Sequence, residues 1–358
     1  MARYWVGTTM DWHSAANWSA VSGGAGGAGV PTATDDVFID GNGYVLCWAN
    51  TPFECNDFTI LAAATEMCLF DQGGVINRDF EEQAGYFGPT GGGGYTVEFK
   101  GNWLKTGGTF AVGTGTGVDP TCEFSGVGTT YQLNDVAGAT YQNFLVSGEV
   151  TFSGTRLSVA AISQEFRCTG TMTIVSGNRI DLLGSFEAIS GTITGQGRFL
   201  YSYGSSDSLP VGGTIAIKYF RVEITSSLVV LTPRNFANTC IFELEYTATA
   251  QVVRFDSSAR HYFEGGLVIY ADSTSILTGE FDCDTNTAEI WCGGDFNVYK
   301  DAFPNGTFTL KWGGGTQVFR RSIDLYFSYS SATTGLVVDP GEGTIILYPQ
   351  GLKTVVVP

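Results

Sequence analysis

Gly101-Asn102-Trp103, Gly108-Thr109-Phe110 and Glu123-Phe124-Ser125-Gly126-Val127-Gly128-Thr129 follow one another inside the stretch from Tyr95 to Phe152. Each segment places a few β-forming residues beside a glycine-marked turn, so the stretch reads as short strand, turn, strand, turn. The pattern returns towards the other end as Gly294-Asp295-Phe296, Gly306-Thr307-Phe308-Thr309-Leu310 and Lys311-Trp312-Gly313-Gly314-Gly315-Thr316. A thinner copy lies between them: Gly184-Ser185-Phe186, Gly191-Thr192-Ile193-Thr194 and Gly195-Gln196-Gly197. A single unit of this kind cannot bury its apolar face, whereas a stack of them can. The expected fold is therefore all-β, a β-solenoid of the parallel β-helix type.

Alternation along the chain supports strands. In Phe242-Glu243-Leu244-Glu245-Tyr246 the apolar residues take one face and the glutamates the other. Met172-Thr173-Ile174 and Ile215-Ala216-Ile217-Lys218-Tyr219 behave alike, and Ser147-Gly148, Ser153-Gly154, Ser176-Gly177-Asn178 and Gly265-Gly266 mark turns between such runs. No stretch beyond residue 95 carries a helical period. Without helical crossovers a parallel sheet forms only by coiling the chain, and an antiparallel β-sandwich is the competing arrangement.

Four regions are expected. Residues 1–45 hold Trp5, Trp12 and Trp18 and a Gly23-Gly24-Ala25-Gly26-Gly27 run. They read as a Trp-rich N-terminal cap that closes one end of the stack, or as an anchor in which the three tryptophans bind a partner. Residues 46–95 read as an irregular connector. Within it, Ile60-Leu61-Ala62-Ala63-Ala64-Thr65-Glu66-Met67 has the composition of a short helix, and Gly91-Gly92-Gly93-Gly94 that of a flexible joint. Residues 96–330 form the β-repeat body. Residues 331–358, with Leu336-Val337-Val338 and Thr344-Ile345-Ile346-Leu347-Tyr348, form a C-terminal β cap or oligomer contact.

Composition excludes several function classes. The chain of 358 residues is 43% hydrophobic and carries 49 glycines, enough apolar content for a large core and many turns. Its formal net charge of −17 argues against nucleic acid and anionic membranes as partners. No apolar run is long enough to span a bilayer, and the first residues lack the apolar core of a signal peptide. The expectation is synthesis in the cytosol, with any later extracellular life needing another export route.

Few residues suggest chemistry. The eight cysteines, Cys47, Cys55, Cys68, Cys122, Cys168, Cys240, Cys283 and Cys292, are scattered without a C-x-x-C pair and read as buried small hydrophobes, with Cys47 and Cys55 close enough in sequence to pair. His13 reads as a hydrogen-bonding residue of the cap, and His261 sits in a strand-like run. There is neither a nucleophile elbow nor a phosphate loop. Asp282, Asp284 and Asn286, with Glu289 nearby, alternate oxygen ligands in a way that suits Ca²⁺, although a solvated polar turn has the same composition. Asp35, Asp36 and Asp40 form a second acidic cluster that serves turns equally well. Asp282, Asp284 and Glu289 would also be the carboxylates of a glycan-cleaving groove, and Tyr201, Tyr203, Tyr326 and Tyr329 are candidates for stacking on sugars or for packing. No catalytic set and no cofactor is expected.

The opening Tyr4-Trp5-Val6-Gly7, Trp12, Asn17-Trp18-Ser19, the glycine run, Val30-Pro31-Thr32 and Asp35-Asp36-Val37-Phe38-Ile39-Asp40 resembles that of Gly-rich β-repeat structural proteins of tailed bacteriophages; similar openings precede β-solenoid repeats in bacterial surface proteins. The resemblance implies a non-enzymatic virion structural protein, a tail-fibre, spike or capsid-surface decoration component involved in host attachment. It further implies self-association as a homotrimer, contact with other virion proteins and contact with host surface glycan. A tailspike-like polysaccharide-cleaving β-helix and a bacterial adhesin are the alternatives.

Overall fold

The structure is a computed structural model, and it describes residues 1–358 apart from 8, 44–45, 90–93, 112–119, 135–138, 155–158, 183–184, 204–207, 210–212, 225–227, 232–234, 237–238, 246–249, 256–259, 273–277, 284–288, 302–306, 313–315, 321–322, 328–334, 340–343, 348–354 and 357–358. Nearly all of the described chain is β; its helical content among the described residues is the 3-10 turn Ala15–Asn17. The chain divides into two compact units, Met1–Ile180 and Asp181–Pro358.

In Met1–Ile180 the chain visits three walls in a fixed order and then begins again. The first wall stacks Ala2–Trp5, Asp36–Ile39, Phe58–Ile60, Phe80–Glu82, Trp103–Lys105, Val127–Leu133, Glu149–Ser153 and Thr171–Ile174. The second stacks Leu46–Ala49, Met67–Phe70, Tyr86–Pro89, Thr109–Ala111 and the first halves of Ala139–Val146 and Val159–Cys168. The third stacks Phe53–Cys55, Gly74–Ile76, Thr96–Phe99, Thr121–Phe124 and the second halves of those two longer strands. All of these pairings are parallel, so the fold is the coiled β-solenoid and not the antiparallel sandwich. Trp18–Ser19 pairs antiparallel with Ala2–Trp5 in the cap.

Register explains the core. Parallel in-register stacking puts a residue directly over its counterpart in the next coil, so inward aromatics build columns. Trp103 and Tyr131 stack with centroids 4.2 Å apart and planes 2° from parallel, and Phe87–Phe110, Phe99–Phe124 and Phe144–Phe166 follow at 5.5, 5.3 and 6.0 Å. Each such pair adds about 0.5–1.5 kcal/mol beyond its buried area. At one corner the polar residue preceding the inward aromatic caps the next coil. Asp57 accepts from the Asp79 backbone N–H at 3.1 Å, Asp79 from that of Asn102 at 2.9 Å, and Asn102 from that of Thr130 at 3.0 Å. Gly101 belongs to this corner because a Cβ there would lie 1.6 Å from the Arg78 carbonyl oxygen.

Two expectations are corrected here. Residues 46–95 are not an irregular connector: they supply strands to all three walls. The sequence signal was Asp57-Phe58, Asp79-Phe80 and Asn102-Trp103, an acid or amide before an inward aromatic in three successive coils. Ile60 to Met67 is not helical. Ile60 ends one strand, Met67 begins the next, and a turn closed by Ala64 N–H to Leu61 C=O at 2.8 Å lies between. A short run of good propensity gains only tenths of a kcal/mol per position, too little to nucleate a helix against the ladder bonds open to both ends.

Trp5, Trp12 and Trp18 are buried in a cluster, Trp18 meeting Trp5 edge-on at 5.1 Å and Trp12 at 4.7 Å. Trp12 also stacks on Phe58 at 5.8 Å, which joins the cap to the aromatic columns. The Trp18 indole N–H donates to the Trp12 carbonyl at 2.7 Å.

Within Asp181–Pro358 three walls recur, with longer coils from Asn235–Phe236 onward. One stacks Thr192–Tyr203, Thr214–Ile224, Thr239–Glu245, Gly266–Asp272, Asp295–Asp301, Ile323–Phe327 and Val355–Val356. The next stacks Ser208–Leu209, Leu228–Leu231, Ala250–Phe255, Thr278–Asp282, Thr307–Lys311 and Gly335–Asp339. The last stacks Asn235–Phe236, Arg260–Phe263, Glu289–Cys292, Thr316–Phe319 and Thr344–Leu347. Gly335–Asp339, Thr344–Leu347 and Val355–Val356 thus continue the walls through 331–358.

Candidate functional site

The residues singled out from sequence are dispersed. Asp282 lies at the end of Thr278–Asp282, in register with Arg254 on one side and Lys311 on the other. The Arg254 guanidinium donates to its carboxylate at 2.8 Å, and the Asp282 side chain is fully covered. Lys311 pairs with Glu280 at 2.9 Å, and that hydrogen bond raises its pKa. Asp282 is thus bracketed by cations, the opposite of what Ca²⁺ needs around a ligand. Asp284 and Asn286 lie outside the described residues. Glu289 stands in the neighbouring wall, in register with Arg260. No cluster of metal-ligating side chains occurs among the described residues.

The tryptophans proposed as an anchor face inward: Trp5, Trp12 and Trp18 are 0, 2 and 0% exposed. In this conformation their rings serve the cap and are not presented to a partner. His13 has the role expected of it, its Nε2 lying 3.1 Å from the Thr51 carbonyl oxygen. His261 points into the core, and burial drives its pKa down to about 3, so it is neutral at neutral pH and far from a general base poised near 7. Tyr201 is buried. The side chains of Tyr203 and Tyr326, and all of Tyr329, fall outside the described residues. Asp35 binds the N-terminal ammonium and Arg3, both at 3.3 Å, and Asp36 accepts from Asn56 at 2.7 Å, so this cluster holds the cap together. All eight cysteines are buried free thiols; Cys47 lies opposite Cys68, not bonded to Cys55.

Surface clefts among the described residues offer two further candidates. The first, about 510 Å³, runs along the outside of the third wall of Met1–Ile180 and is lined by Phe53, Glu54, Gly74, Val75, Glu98 and Glu123, among others. Glu98 and Glu123 are register neighbours, a repulsive arrangement relieved by Ser125 and Ser147 hydroxyls, which donate to them at 2.6 Å each, and by Lys100 at 3.7 Å from Glu98. The two carboxylates have matching hydroxyl donors. An acid and base pair needs surroundings that drive its two groups apart.

The second cleft, about 410 Å³, lies outside the last wall of Asp181–Pro358. Tyr262, Trp291 and Val318 form its aromatic and apolar lining, because register places them in one column. Glu264, Gly293 and Arg320 form a second column, each donating its N–H to the preceding coil: to Phe236, Phe263 and Cys292 carbonyls at 2.8, 2.9 and 2.9 Å. Sequence reading missed this site. Its signal was the alternation Arg260-His261-Tyr262-Phe263 over Glu289-Ile290-Trp291-Cys292, which sends an aromatic outward at the same position in two coils. No protein-family model, curated protein or solved structure matches the chain.

Proposed function

We propose that the chain is a non-enzymatic structural protein of a tailed-bacteriophage particle, a tail-fibre, spike or capsid-surface component that contacts the host. The observation that carries the reading is the stacking itself: in-register parallel walls around aromatic columns, with a tryptophan cap sealing the first coil. Each coil is hydrogen-bonded to its neighbours, so the backbone offers few free edges to proteases, a property suited to a part that works outside the cell. The repeat unit sets a stiff support, and the outer faces carry recognition. Partners are further copies of the chain as a homotrimer, other virion proteins and host surface glycan.

The test is native mass measurement of the full chain together with labelled-antibody imaging of purified particles. A trimer and antibody label on particles are the expected results. A monomer at micromolar concentration removes the trimer, and unlabelled particles remove the virion role. A polysaccharide-cleaving enzyme is the second reading: Glu98 and Glu123, register neighbours in an outer cleft, supply the pair of carboxyls it needs, and their matching hydroxyl donors count against it. Release of reducing ends from host capsule, lost in Glu98→Gln, would establish that reading in place of the first.

A further inference from the structure

We infer that the cleft of Tyr262, Trp291, Val318, Glu264 and Arg320 is a binding subsite for one neutral pyranose residue of a glycan. Tyr262 and Trp291 lie half-buried on the outer face, at a position that alternation normally gives to polar residues. Their rings are 5.8 Å apart and tilted by 55°, so they diverge instead of covering each other as the core pairs do. Val318, 1% exposed, closes the floor.

The polar column gives the cleft its second half. Glu264 and Arg320 are exposed, and Gly293 stands between them. Glycine is required there, because a Cβ would meet the Glu264 carbonyl oxygen at 2.7 Å. The missing side chain leaves open the gap between an acceptor and a donor two coils apart, about 9–10 Å along the wall. A pyranose matches this arrangement: its C–H face packs on an aromatic ring while its ring hydroxyls donate to the carboxylate and accept from the guanidinium. The volume of about 410 Å³ falls in the range of small-ligand pockets.

Charge selects against the competing occupants. A phosphate or uronate could pair with Arg320 but would also meet Glu264 within the cleft and a chain of net charge −17 around it. An acyl chain would strip water from the exposed Glu264 carboxylate with nothing to replace it. The inference stands on the cleft alone; a chain with no place on a phage particle would still carry it.

The experiment uses the full chain and the methyl glycosides of glucose, galactose and mannose, with methyl glucuronide as the charged arm, read by saturation-transfer NMR and tryptophan fluorescence. At least one neutral glycoside is expected to bind with a Kd on the order of 1–10 mM, typical of a single exposed subsite. Trp291→Ala should weaken it by about tenfold or more and Tyr262→Ala by several-fold, in line with loss of a stacking face. Trp291→Phe keeps a ring and the fold, and should retain part of the binding; Glu264→Gln should weaken it while leaving the melting temperature unchanged. Absence of saturable binding by every neutral glycoside, or a folded Trp291→Phe and Glu264→Gln pair that both bind like wild type, overturns the subsite. Preferential binding of the glucuronide overturns its neutral assignment.

Discussion

The two units build the same kind of wall, with short early coils in Met1–Ile180 and long late coils in Asp181–Pro358, and the difference shows in how each interior is filled. In Met1–Ile180 one inward position passes from Phe58 to Phe80 and on to Trp103, one coil at each step. In Asp181–Pro358 the corresponding steps, from Phe263 to Cys292 and on to Phe319, take a longer path around the coil. Short coils have narrow walls, such as Phe80–Glu82 and Thr96–Phe99, with about two inward positions each. Those few positions must fill the interior, and large aromatics do it. Longer coils have wider walls, such as Gly266–Asp272 and Asp295–Asp301, where Leu267, Ile269, Phe296 and Val298 share the task. The second unit's outer face carries the Tyr262–Trp291 pair over Val318, and the first unit's corner around Asp57, Asp79 and Asn102 is given to hydrogen bonding.

The largest test of this contrast is truncation of an inward residue. Trp103→Ala should cost about 3–5 kcal/mol, because it empties a column position between Phe80 and Tyr131, against about 2–4 kcal/mol for Leu267→Ala. Urea midpoints decide it; an equal or smaller loss for Trp103→Ala would break the claim that aromatic columns carry the short coils.

Acid separates the units next. His261 has a folded pKa of about 3 against an ordinary 6.5, so the unfolded chain binds its proton first. Its contribution is complete above about pH 6.5 and is lost as pH falls towards 3, by at most about 1.4 kcal/mol per pH unit. Asp35 differs. Burial pushes its carboxyl up, but hydrogen bonds from Thr32 and the N-terminal ammonium, with the Arg3 charge, outweigh it and hold the pKa below 3.8. Its stabilisation is present above the unfolded value and disappears only as pH falls through the lowered one. Hydrogen exchange should show the coil around His261 loosening between pH 6.5 and 4 while the cap stays protected. Loss of cap protection first, or no change in that slope in His261→Phe, would contradict the assignment.

Asp282→Ala leaves Arg254 without its carboxylate. A fully buried broken pair costs about 3–5 kcal/mol, and the part-exposed arginine reduces this to about 1–3 kcal/mol, read as a drop in melting temperature. Added Ca²⁺ should leave the melting temperature of the wild type unchanged; a rise would restore the metal reading. The smallest effect belongs to the corner ladder. Asp79→Ala removes the acceptor for the Asn102 backbone and side-chain N–H groups and should cost about 1 kcal/mol in urea unfolding. Asp79→Asn, which keeps an acceptor oxygen, should recover most of it.

Particular residues show how far the sequence reaches. Alternation in Met172-Thr173-Ile174 and the Gly-Asn-Trp and Gly-Asp-Phe triplets were legible, and each triplet has its physical role: glycine where the corner meets the preceding coil, an inward aromatic after it. The burial of Trp5, Trp12 and Trp18 followed from the need to close an open end. The coils of 46–95 were hidden because Ala62-Ala63-Ala64 imitates a helix and the Asp-aromatic pairs carry no glycine. Asp282 looked like a ligand because its partners, Arg254 and Lys311, lie a full coil away in either direction along the chain. The outward alternation at Tyr262 and Trp291 was present in the sequence, but which coil each falls in, and so their meeting, was hidden for the same reason.

The amino-acid sequence by itself determined that the chain is β, where it turns, and which side chains alternate, since these follow from the chemistry of immediate neighbours along the chain. Only the tertiary structure decided that the strands coil in parallel, that Asp282 sits between cations, and that Tyr262 and Trp291 meet above Val318. Those outcomes depend on coil length. Length sets which residue lies over which, and a single-step slip in register exchanges the inner and outer faces of a wall.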